Sequence, residues 1–185
     1  MNLKKTLFTA VGLVVAGLAS QALAATANGP ICDANARVGS ATYYSCSGSY
    51  HGALDMSNQS CNTWNHRAML VGSYRYNLIG GCANNCANPP PNPNCNYGAG
   101  NYYVVYGSNT WQFRQLHVNT NGSSYTQTCD RCPLGLVGST GNSYGAHVHA
   151  DNLYNGSRQT GWYTSVGTTC GSSANCTSRV GVPTL

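Results

Sequence analysis

Ten cysteines, all lying beyond an apolar N-terminal leader, constrain this chain more than any other feature. Lys4 and Lys5 form a short positive region, Leu7 to Ala19 is an uncharged apolar run, and Ala22-Leu23-Ala24 offers a small-x-small cleavage site. That order is the pattern of a secretory signal. The run falls short of the roughly 20 apolar residues that span a bilayer, and no later stretch approaches that length, so no membrane span is expected in the mature chain. The expected organisation is a signal peptide over 1–24, a flexible lead-in over 25–31 and a single domain over 32–185. An even cysteine count in an exported chain reads as disulfides, which places the protein in the extracellular space or the periplasm. The short spacings Cys82/Cys86 and Cys170/Cys176 suit local pairs, although sequence does not fix connectivity. Cys129-x-x-Cys132 has neither the βαβ context of a redox motif nor the second CxxC of a four-cysteine zinc site, so it is read as structural.

Glycine, asparagine, serine, threonine and tyrosine dominate the mature chain, and apolar runs with a 3.6-residue period are missing. Strand signals fall instead at Ala68–Tyr76, Asn101–Tyr106, Trp111–Val118, Leu134–Val137 and Ala146–Leu153, separated by turn residues. Gly80–Gly100, with Pro89-Pro90-Pro91, Pro93 and three cysteines, reads as a loop held by disulfides. The fold expected is mostly β: a single antiparallel β-sheet domain with long disulfide-pinned loops and little helix. Beyond the leader, seven arginines face four aspartates, and there is no glutamate. This mild positive balance favours an anionic surface such as a bacterial envelope. It is too scattered to imply nucleic acid as a partner.

Without glutamate the chain has no H-E-x-x-H zinc-protease chemistry, so a proton acceptor must be a histidine, one of the four aspartates or something weaker, with histidine the group best suited to work near neutral pH. His147 and His149 stand two apart, and on a strand such residues share a face. His51 and Asp55 would lie roughly 13 Å apart along a straight strand; Gly52 supplies the place to bend. Each pair alone is weak. Two histidines and a carboxylate taken together give three metal ligands and an open water position, the layout of a catalytic zinc site.

The segment Gly138-Ser-Thr-Gly141-Asn-Ser-Tyr-Gly145-Ala-His147-Val-His149 resembles the C-terminal signature of the lysostaphin-like zinc endopeptidases, which cleave peptidoglycan peptides. That family pairs it with an upstream HxxxD, matched by His51-x-x-x-Asp55. It also carries a Tyr…His-Leu segment, to which Tyr106 through Leu116-His117-Val118 is similar, with Val118 at the usual leucine. The resemblance implies one zinc ion per chain on His51, Asp55 and His149, with His147 as general base and His117 assisting the transition state. It makes 32–185 a zinc peptidase domain acting on a peptidoglycan peptide or a glycine-rich protein. The insert Gly80–Gly100 and the tail beyond Leu153 depart from the family's pattern. His66 matches nothing in it and is read as structural.

Two other readings compete. Gly141-Asn-Ser143-Tyr-Gly145 satisfies the G-x-S-x-G nucleophile elbow, but a strand-like segment follows where that elbow needs a helix, and no histidine follows Asp151. A non-catalytic, disulfide-rich cell-wall-binding module would leave the histidine pattern without a purpose.

Overall fold

The computed structural model describes residues 25–27, 29–31, 36–58, 61–62, 66–70, 73–83, 86, 91–107, 110–119, 125–127, 133–160, 162–163 and 180–182. The leader 1–24, the Cys129-x-x-Cys132 motif and the Cys170/Cys176 pair lie outside the described residues. Among the described residues twelve strands run in order: β1 (Ala25–Ala27), β2 (Arg37–Ser40), β3 (Leu54–Ser57), β4 (His66–Arg67), β5 (Tyr74–Ile79), β6 (Tyr102–Tyr106), β7 (Trp111–Leu116), β8 (Tyr125–Gln127), β9 (Pro133–Gly135), β10 (Val148–Tyr154), β11 (Ser157–Arg158) and β12 (Val180–Val182). Among the described residues the only helical pieces are 3-10 turns at Tyr44–Cys46 and Cys95–Gly98. No helix among them is long and apolar enough to cross a membrane.

The main sheet follows the order β2–β3–β10–β7–β6–β5–β8, with β11 folded back onto β10. Every pairing in it is antiparallel. The mostly β architecture built on an antiparallel sheet, as expected from sequence, is therefore present. The pairs β1–β12 and β4–β9 stand apart from it. Within 25–31, expected as a flexible lead-in, Ala25–Ala27 pair with Val180–Val182.

Alternation along the strands divides the sheet into two faces. Leu54 and Met56 of β3, Val148 and Ala150 of β10, Trp111 and Phe113 of β7, and Tyr103 and Val105 of β6 belong to one buried apolar cluster. Each fully buried aromatic or aliphatic side chain of this kind contributes about 1.5–3 kcal/mol. The opposite face carries Asp55, His149, Asp151, Arg114 and Tyr102. Cross-strand register sets them side by side: His149 opposite Asp55 on β3, and Asp151 opposite Arg114 on β7.

The single strand expected over Ala68–Tyr76 is instead broken. Ala68, Met69 and Leu70 are core residues between β4 and β5. β7 stops at Leu116 rather than at Val118 because His117 turns out of the extended region, with φ +66°. The Gly80–Gly100 loop is pinned by disulfides, but not by the local Cys82/Cys86 pair that the spacing suggested. Cys82 joins Cys95 inside the loop, and Cys86 reaches back to Cys61. His66 is fully buried and hydrogen-bonds Gln115 through Nε2 at 2.7 Å, a structural role as read from sequence.

Candidate metal centre and active site

Three neighbouring strands deliver the site. Asp55 lies on β3 and His149 directly opposite it on β10, while His117 follows immediately on the end of β7, whose last residue also pairs with His149. His51 arrives from the turn before β3. Its N–H and that of Gly52 both donate to Thr42 O, at 2.9 and 3.1 Å. Gly52 takes φ +68°, a conformation L side chains rarely adopt, so the bend calls for glycine. This bend brings His51 Nε2 to 3.1 Å from Asp55 Oδ1. His149 Nδ1 lies 2.9 Å from the same oxygen.

The ligating atoms of His51, Asp55 and His149 all lie within 4.8 Å of one another. His51 Nε2 and Asp55 Oδ1 are buried, yet among the described residues neither makes a hydrogen bond of acceptable geometry despite their proximity. Leaving buried polar atoms so costs about 1–3 kcal/mol each. The three side chains are close enough for one cation to sit among them. Two imidazoles and one carboxylate with a side open to a cleft suit zinc with an exchangeable position.

The surroundings hold these ligands in place. The far nitrogen of His149, Nε2, lies 3.4 Å from Asp151 Oδ2. Asp151 is fully buried and receives a bidentate pair from Arg114, at 2.8 and 2.6 Å. Such a carboxylate behind a ligating histidine fixes its tautomer and raises its basicity. Burial pushes the His149 imidazolium down, but the Asp151 and Asp55 carboxylates outweigh burial and raise it. Burial likewise pushes Asp55 up, and its contacts with His149 and His51 override this and hold it well below the usual carboxylate range. A cation entering the cluster therefore displaces a proton.

His117 and His147 stand over the ligands with ring centroids 4.7 Å apart. His117 Nδ1 lies 2.7 Å from Thr140 O, and His147 Nδ1 lies 2.8 Å from Gly145 O. A carbonyl only accepts, so both Nδ1 atoms carry the hydrogen. With neutral rings, both Nε2 atoms then present lone pairs. Burial, then the neighbouring His147 and His149, hold His117 well below its ordinary value. Burial lowers His147 too, with Asp55 and Gly145 O partly offsetting it. His147 Nε2 lies 3.9 Å from Asp55 Oδ1.

The glycine-rich segment supplies the carbonyls. Gly141, at φ +76°, packs so tightly on Gly100 that a Cβ would lie 2.3 Å from the Gly100 nitrogen. This contact sets Thr140 O beneath His117, and Ala99 O accepts the His117 N–H. The left-handed conformation of His117 is thereby held from both sides, a strain typical of functional residues. Ser143 donates to Gly145 O at 2.8 Å and sits 3.2 Å from His147 Nδ1. That nitrogen already carries its hydrogen, so it cannot activate Ser143, and β10 rather than a helix follows. The serine-nucleophile reading fails on both counts.

All five residues singled out from the sequence meet in one cleft of about 590 Å³, whose rim includes Tyr44 and Tyr144. Tyr44 packs on His51 with centroids 4.2 Å apart. Sequence reasoning did not find Asp151 or Arg114, and it weighed Ser143 only as a nucleophile, not as a neighbour of His147. Asp151 had a signal, since it continues the His147/His149 alternation by one more step. Arg114 had none.

The sequence matches no protein-family model and no curated protein. Among solved structures the chain is similar to a zinc-containing peptidase from Vibrio cholerae, at 17% identity and TM-score 0.45, over 72% of this chain and 38% of that one. It thus spans well under half of that peptidase. It is also similar to the catalytic domain of a variant of the prophage-encoded M23 protein EnpA from Enterococcus faecalis, at 16% identity and TM-score 0.45, over 71% of this chain and 92% of that one. A third similarity is to the catalytic domain of the antimicrobial peptidase lysostaphin from Staphylococcus simulans, at 17% identity and TM-score 0.41, over 68% of this chain and 86% of that one.

Proposed function

We propose that this protein is an exported zinc metalloendopeptidase that hydrolyses peptide bonds in bacterial peptidoglycan cross-links or other glycine-rich peptides. The observation that carries this reading is the convergence of His51 Nε2, Asp55 Oδ1 and His149 Nδ1 beneath two imidazoles whose Nε2 lone pairs face the cleft. His51, Asp55 and His149 would hold the zinc, which when bound supplies a Lewis acid that acidifies a water and polarises a carbonyl.

The chain's own residues divide the remaining work. His147 is the better base: its side chain is 20% exposed and beside Asp55, and its basicity is less suppressed than that of His117. It takes the proton of the attacking water at Nε2 and returns it to the leaving amine. His117, with its hydrogen held on Nδ1 by Thr140 O, is an acceptor at rest. It orients the water through the second hydrogen, and it can donate to an oxyanion only once protonated. Asp151 holds His149, and Arg114 holds Asp151. The positive balance of the chain and the resemblance of its glycine-rich and histidine motifs to the lysostaphin-like enzymes support an envelope peptide as substrate.

The test is loss of turbidity of purified peptidoglycan with oxidised, leader-free protein. Clearing that stops with chelator and returns with zinc is expected. Zinc bound at one per chain without clearing moves the substrate elsewhere. Neither clearing nor zinc binding refutes the reading in favour of a non-catalytic wall-binding module.

A further inference from the structure

A second hollow of about 260 Å³ opens on the same face of the sheet. Tyr44, His117, Asn142 and His149 line both hollows, so they form one groove across the ligand cluster. The two ends differ in charge. Apart from the centre itself, the larger end presents uncharged groups such as Ser40, Met56, Ser57 and Tyr144. The smaller end is walled by Tyr97, Tyr102, Arg114 and Arg158, and among the described residues no carboxylate lines it.

Asp151 lies beneath these arginines, fully buried, and is shared by Arg114, Arg158 and His149. Two guanidinium groups against one buried carboxylate leave a surplus positive charge at this end. Arg158 is brought here by β11 folding back so that it pairs with Leu153. Its side chain is 32% exposed, and among the described residues it donates one hydrogen bond, from Nη1 to His51 O. Guanidinium matches a carboxylate through a planar, two-pronged fork.

We propose that this hollow is a carboxylate-binding subsite and that the peptide hydrolysed carries a free carboxylate received by Arg158 beside Arg114. The proposal rests on the peptidase reading and narrows its substrate. His149 Nε2 and Arg158 Nε lie 3.4 and 3.7 Å from the same Asp151 oxygen, hence within about 7 Å of each other. An extended residue spans ~3.3–3.6 Å. Nε2 is the nitrogen of His149 that faces away from the cluster, so the carboxylate belongs within about three residues of the scissile bond, as either a chain terminus or an acidic side chain.

The test uses zinc-loaded His147→Ala protein, inert on the proposed mechanism, and isothermal calorimetry. Three probes are compared: N-acetylated tetraglycine with a free carboxylate, the same peptide ending in an amide, and an amide-ended form with one glycine replaced by glutamate. One of the acidic probes should bind about tenfold tighter than the plain amide, or better, as expected of charge-assisted hydrogen bonds. Which acid wins distinguishes terminus from side chain. The preference should fall to about twofold or less on adding Arg158→Gln, while Arg158→Lys, with charge but no fork, should keep part of it. Equal binding of acids and amide, no binding of any probe, or a preference that survives Arg158→Gln overturns the proposal. Absence of hydrolysis by the unaltered protein would instead count against the peptidase reading and leave this binding comparison standing.

Discussion

His66 makes the stability of this fold sensitive to mild acid. The ring is fully buried against Tyr103 and bonded to Gln115, and burial lowers its pKa from 6.5 to about 4, the Gln115 bond offsetting only part of this. In the unfolded chain the ring titrates near its ordinary value, so as pH falls below 6.5 the unfolded state takes up the proton first. Stability present at neutral pH is then lost progressively down to the folded pKa and levels off below it. Two-state linkage with these values gives a loss of about 2 kcal/mol by pH 5 and about 3 kcal/mol by pH 4. Urea unfolding followed by tryptophan fluorescence, in chelator and with disulfides intact, measures this at pH 7, 5 and 4. Asp55 and the site histidines also titrate, so the quantity of interest is the difference between wild type and His66→Gln. The variant starts less stable at pH 7 but should lack this share of the acid slope. If the two proteins lose stability in parallel to within about 0.5 kcal/mol, the buried neutral imidazole is not the cause and the argument fails.

Three further outcomes are expected. His147→Ala should keep one zinc per chain while turnover falls about 10²–10⁴-fold, whereas His149→Ala should lose both; retained activity in His147→Ala would remove it as the base. Asp151→Asn should weaken zinc affinity about 10–100-fold in chelator competition, since it frees the ligand His149 from its carboxylate. Gly141→Ala should cost about 2–4 kcal/mol by urea unfolding, combining its left-handed φ with a Cβ 2.3 Å from Gly100. Gly145→Ala, with nothing within 4 Å of the added carbon, serves as its near-neutral partner.

The histidine spacing and Gly52 made much of the centre legible in advance. An H-x-H on a strand shares a face by geometry alone, and a glycine between His51 and Asp55 marks the bend that joins them. What was hidden is long-range register. Nothing near Leu54–Ser57 says that Asp55 will sit opposite His149, because four residues carry too little alternation to name a partner. Arg114 is equally silent, as one arginine on a strand reads as solvated until Asp151 appears across from it. The strand expected over Ala68–Tyr76 failed differently. Ala68 and Met69 are apolar because they are buried, not because they pair in a strand, and burial without periodicity does not distinguish the two.

The loop pinned by Cys82–Cys95 also bears on when the protein can act. Cys95 O anchors Gly100, Gly98 O anchors Asn142, and Ala99 O takes the His117 N–H. The covalent tie thus lies within a few residues of the machinery it steadies. A freshly made chain with thiols unpaired lacks this brace, since closing such a loop is worth about 3 kcal/mol. Bracing of the cleft is then coupled to oxidation, and a newly made chain would stay unfinished until it met an oxidant.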